Sequence, residues 1–102
     1  MTLPGPGQPQ PYELTLYVRG ASPLSTSAIQ SVRTMCDELL GDRFTLTVVD
    51  GVEHPERLVA DHVVALPTLV KHAPPPVRHL VGNLTDVDAL RSGLDLGPAR
   101  GA

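Results

Sequence analysis

Three consecutive prolines, Pro74, Pro75 and Pro76, separate two short runs of β-type residues, Thr68 to His72 and Val77 to Val81. A proline ring holds φ at about −65° and removes the amide hydrogen, so neither a helix nor a central strand can run through the triplet. The two runs are therefore predicted to form a hairpin with a stiff connection. Pro67 stands at the entry to the first run, and the residue before it, Leu66, is pushed toward extended geometry. Pro67, Pro74, Pro75 and Pro76 are thus the structural candidates, marking where the strand starts and where the hairpin turns.

At 102 residues the chain has room for one domain with one small core. Apolar residues make up 41%, but there is one Phe, two Tyr and no Trp, so that core must be aliphatic. Base stacking on nucleic acid has little to work with. Eleven acids against eight bases give a formal charge of −3 without a long run of either sign. General attraction to nucleic acid or to an anionic membrane is not expected. Cys36 is the only cysteine, which excludes an intramolecular disulfide and a CxxC redox pair. Lying inside a predicted helix, it reads as a small buried hydrophobe. No apolar stretch approaches the roughly 20 residues that span a bilayer, and residues 1–11 lack the basic and apolar regions of a signal peptide. The expectation is a cytoplasmic domain over residues 12–96, with a Pro/Gly-rich tail over 1–11 and a short tail over 97–102.

From Tyr12, Leu14, Leu16 and Val18 alternate with Glu13, Thr15 and Tyr17, the period of a strand with one dominant apolar face. Ser22-Pro23 then supplies a helix start, a hydroxyl cap followed by a residue that needs no amide partner. Ile29, Val32, Cys36 and Leu39 continue at three- and four-residue spacing, and Gly41 is the stop. Phe44 to Asp50 alternates and then turns continuously apolar, which predicts a strand near a sheet centre. His54-Pro55 opens a weaker helix with Leu58, Val59 and His62. Its end is open, because Val63-Val64-Ala65 fits either a longer helix or an approach to the next strand. After the hairpin, Thr85 is the expected cap of a last helix carrying Val87, Leu90 and Leu94, interrupted by Gly93 near its end. The order βαβαββα, with a long crossover after the first strand, predicts a thioredoxin-like α/β fold with a four-stranded mixed sheet. Where a redox thioredoxin carries its cysteine pair, this chain reads Ser22-Pro23-Leu24-Ser25, so thiol chemistry is excluded there.

No catalytic group or cofactor site emerges. The spacings of His54, His62, His72 and His79 match no common metal motif, so no metal is expected. Asp50 at a strand end reads as a turn former or as a group that orients a partner.

Several stretches together carry a family resemblance: Leu16-Tyr17-Val18-Arg19-Gly20 with Ser22-Pro23, Val49-Asp50 with His54-Pro55, Ala65-Leu66-Pro67-Thr68-Leu69, Pro74-Pro75-Pro76-Val77-Arg78, Gly82-Asn83-Leu84-Thr85 and Gly93-Leu94-Asp95-Leu96. The chain resembles KaiB, the small clock protein of cyanobacteria, and its relatives in other bacteria. That resemblance implies a regulator without catalysis, which binds a KaiC-type ATPase and recruits or displaces other clock proteins such as histidine kinases. It also implies two forms: a thioredoxin-like monomer that binds partners, and a resting homo-oligomer with a rearranged C-terminal half. Tyr12, Gly93 and Asp95 match the family positions that tune the switch. The family's basic positions read Thr15, Ser27, Thr47 and His79 here, which leaves Arg19, Lys71 and Arg78 as the candidate partner-binding cations. The alternative reading is a thioredoxin-like enzyme or small-molecule-binding domain without the redox pair.

Overall fold

The computed structural model describes residues 11–82 and 84–96; apart from Pro11, the two expected tails lie outside the described residues. Seven elements follow in order: β1 (Tyr12–Val18), α1 (Pro23–Leu40), β2 (Phe44–Asp50), α2 (Pro55–Ala60), β3 (Thr68–Ala73), β4 (Arg78–Val81) and α3 (Val87–Gly93). The strands lie side by side as β2-β1-β3-β4. β1 and β2 are parallel, whereas β1–β3 and β3–β4 are antiparallel. This is the thioredoxin-like arrangement that the sequence predicts, with the second half in hairpin-plus-helix form rather than rearranged.

Strand alternation sorts the side chains onto two faces. Leu14, Leu16, Val18 and Leu69 face α1 and α3 and join Val32, Cys36, Leu40, Leu90 and Leu94 in the main core. Tyr17, Val49 and Val70 point the other way, where Val63, Leu58 and Leu66 cover them. β1 thus has one apolar face, Tyr12, Leu14, Leu16 and Val18, while Thr15 and Tyr17 are buried on the other beside the exposed Glu13.

Ser22 caps α1 by accepting from the Ser25 amide, Pro23 opens the helix, and Gly41 closes it at φ 64°, a left-handed value that glycine adopts without cost. Two local expectations need correction. β2 is an edge strand, and Val48, on the same face as Leu16 but at the edge of the sheet, is exposed there while Val49 is buried on the other face. Asp86, not Thr85, caps α3: its carboxylate accepts from the amides of Asp88 and Ala89, one residue further along. After Ala60 the chain leaves α2 and approaches β3, the second of the two courses the sequence allows: His62 adopts φ 57°, Val63 turns inward and Val64 is left in solvent.

Cys36 is fully buried against β1, and that burial, with Asp37 as a lesser cause, pushes its thiol up to about 11. At pH 7 the thiolate fraction is on the order of 10⁻⁴. A thiol reagent added to the native protein should therefore label Cys36 only at the rate at which the domain opens. Prompt labelling without denaturant would contradict this packing.

Candidate protein-interaction site

The C-terminal end of α3 gathers residues from four elements. The Tyr12 hydroxyl at the start of β1 donates to the carbonyl of Leu94, 2.9 Å away, and burial raises its pKa. Just beyond, the amides of Asp95 and Leu96 return to the carbonyls of Ser92 and Arg91, which ends the helix. Asp95 sits at φ 60°, a conformation in which aspartate is several-fold enriched among non-glycine residues. That turn aims its carboxylate at the Lys71 ammonium, 2.5 Å away on β3, and at the Arg78 guanidinium, 3.1 Å away on β4. The hydrogen bond from Lys71 is the main cause that holds the Asp95 carboxyl below its ordinary value, with Arg78 adding to it. Gly93 lies against Leu80: a Cβ built there would come 2.2 Å from Leu80 Cδ2, so a larger residue forces Leu80 aside.

Tyr12, Gly93 and Asp95, far apart in sequence, are thus neighbours in one corner. Lys71, expected as a surface cation, has no exposed side-chain area. It shares a face with Leu69 because both alternate toward α3. Its charge serves Asp95 inside the domain. Arg78 stays half exposed while holding the other carboxylate oxygen.

On the opposite face Asp61, at the end of α2, is a hub that sequence reasoning missed. Its carboxylate accepts from the Tyr17 hydroxyl and lies 3.6 Å from His72, and its carbonyl meets His79 Nε2 at 2.6 Å. Burial first, and then the bond to Asp61, raise Tyr17 to about 12. Asp50 proves to be a turn former, its carboxylate accepting from the amides of Gly20, Val52 and Glu53. Among the described residues no group of three or more His, Cys, Asp or Glu is placed to hold a metal ion.

Arg19, the third candidate cation, is exposed at the mouth of a groove between the start of α1 and the segment entering β3. Pro67 lines the same groove, behind the end of β1. Pro74 is half buried at the end of the hairpin, with Pro75 and Pro76 exposed at its turn. The Leu66–Pro67, Ala73–Pro74 and Pro75–Pro76 bonds are cis.

The sequence profile of the KaiB domain matches residues 15–96. The chain belongs to the KaiB family. The circadian clock protein KaiB3 of Synechocystis sp. is 34% identical over 85 residues, 83% of each chain. The circadian clock oscillator protein KaiB of Gloeothece citriformis is 38% identical over 85 residues, 83% of this chain and 80% of its own. Among solved structures, the N-terminal domain of Synechococcus elongatus SasA superposes with a TM-score of 0.72 over 98% of both chains at 26% identity. Mitochondrial thioredoxin 3 of Saccharomyces cerevisiae, at 13% identity and a TM-score of 0.66, covers 86% of this chain and 80% of its own; it bears on the fold alone.

The corner at the end of α3 gives this KaiB-family chain a pH signature. A carboxyl depressed in the folded state stabilises at pH values above its unfolded value, about 3.9, and loses that contribution as pH falls through the lower folded value. Thermal melts of Asp95→Asn should therefore show a deficit against the parent that is full at pH 7 and shrinks below about pH 4. An equal melting temperature at pH 7, or a deficit unchanged at low pH, would contradict the pairing with Lys71.

Proposed function

We propose that this protein is a cytoplasmic KaiB-type regulator that binds a KaiC-type ATPase and thereby modulates circadian or stress timing through protein–protein contact, without catalysis of its own. Membership of the KaiB family carries this reading, since the matched segment spans residues 15–96 and the relatives are named as clock proteins. The likeness to the N-terminal domain of SasA supports it, because two domains with one fold can present the same surface to a shared partner. A histidine kinase partner would then be displaced or recruited rather than modified.

Tyr12, Gly93 and Asp95 are, in this reading, the positions that set the balance between the present form and a self-associated, rearranged one. All three act on the end of α3, so a change at any of them shifts how firmly that helix is held on the sheet. Of the three candidate cations, Arg19 and Arg78 are the exposed ones a partner could reach, Arg78 while paired with Asp95.

The direct test mixes the purified protein with a purified KaiC-type ATPase and ATP and follows co-elution by size-exclusion chromatography. A complex that weakens between about 0.05 and 0.15 M salt, and that the N-terminal domain of SasA competes away, is the expected result. Separate elution throughout that range would overturn the reading.

A further inference from the structure

Two opposite charges line one hollow without meeting. Arg57 on α2 and Glu13 on β1 both border the hollow on the sheet face away from α1 and α3, and both are exposed. Among the described residues neither belongs to an ion pair, with the other or with any third group. The nearby Asp61 carboxylate is engaged already, by the Tyr17 hydroxyl and by His72 at 3.6 Å. One free cation and one free anion thus face the same space across a gap.

The sheet adds polar groups of both kinds. Thr15 lies opposite Thr47 and Glu13 opposite Thr45 in the parallel pairing of β1 with β2, so alternation puts three hydroxyls on this face. A hydroxyl can donate to an anion or accept from a cation. His72 comes to the hollow through an irregularity of β3: Glu13 pairs with Ala73 and Leu14 with Lys71, which leaves His72 without a direct partner on β1. Such a bulge re-aims a side chain, and bulges are over-represented beside functional sites. The His72 Nε2 meets the Thr15 hydroxyl at 3.0 Å, which fixes both at the floor.

Size and lining narrow the occupant. The hollow holds about 340 Å³, at the low end for small-molecule sites. Leu14 is its only apolar residue, and no Phe or Tyr borders it. A nucleobase would find no aromatic platform there, and a hydrophobic ligand little to cover. A ligand of one charge sign would leave either Glu13 or Arg57 facing a like charge. A zwitterion satisfies both and brings no net charge to the site.

We propose that this hollow is a binding site for a small zwitterion of the amino-acid class. The carboxylate of the ligand pairs with Arg57, its ammonium with Glu13, and the hydroxyls of Thr15, Thr45 and Thr47 bond to whichever end lies over them. The inference goes beyond the family reading, since it needs no KaiC-type ATPase and its test contains none.

The test follows the amide resonances of the intact protein by NMR as each common amino acid, β-alanine or 4-aminobutyrate is added to about 10 mM. Acetate, methylammonium and inorganic phosphate serve as probes of one charge sign. Saturable shifts at Thr15, Thr47 and His72 with at least one zwitterion are expected, and every probe of one sign should bind at least about tenfold more weakly. Arg57→Gln and Glu13→Gln should each weaken the zwitterion at least about tenfold. Both side chains are exposed, so both variants should keep the circular dichroism of the parent. The proposal is overturned if no zwitterion shifts these resonances, if a probe of one sign binds the parent as well as the best zwitterion does, or if Glu13→Gln binds that zwitterion unchanged.

Discussion

The Lys71 ammonium lies on the sheet face that packs against α1 and α3, with none of its side chain exposed. A charge held there without a partner is strongly unfavourable, so the arrangement depends on a carboxylate being delivered to it. Asp95 delivers it, and can do so only because the chain turns left-handed straight after α3. That turn in turn requires α3 to sit close on β4, with Gly93 against Leu80, and the Tyr12 hydroxyl to hold the carbonyl of Leu94. One buried cation on β3 therefore links both ends of the domain. Replacing such a pair by apolar residues is often neutral for stability, whereas removing one member is not. The pair ties the end of α3 to β3, and with Arg78 to β4.

Most of the fold was legible because local signals agreed with one another. Ser22-Pro23 and Gly41 bound α1 where the sequence places them, and the prolines enclose the hairpin as expected. What local patterns could not supply was sheet order. Val48-Val49 looks the same on an edge strand as on a central one, so β2 was placed too near the middle. The burial of Lys71 was hidden for a related reason: alternation puts it on the face of Leu69, but which face α3 covers is a tertiary fact. The Asp61 hub joins Tyr17, His72 and His79 through side-chain geometry, and no sequence spacing announces it. Tyr12, Gly93 and Asp95 were singled out by family likeness alone, and their convergence on one corner gives that likeness a physical content.

The two faces of the sheet differ in what they leave open. The face under α1 and α3 is filled by aliphatic side chains. The other is covered only by the six-residue α2 and the segment after it, which leaves Thr15, Thr45, Thr47 and His72 around an open polar hollow. Thr15 and Thr47 fall where the family resemblance expects basic residues, so this chain presents a less cationic surface there.

The central claim is that the second half is packed as hairpin and helix around Lys71. Backbone NMR chemical shifts of residues 63–95, recorded at low concentration, test it most directly. Strand shifts over Thr68–Ala73 and Arg78–Val81 with helical shifts over Val87–Gly93 are expected. Helical shifts in place of the hairpin would contradict the account, because Lys71 and Asp95 could not then meet as they do here.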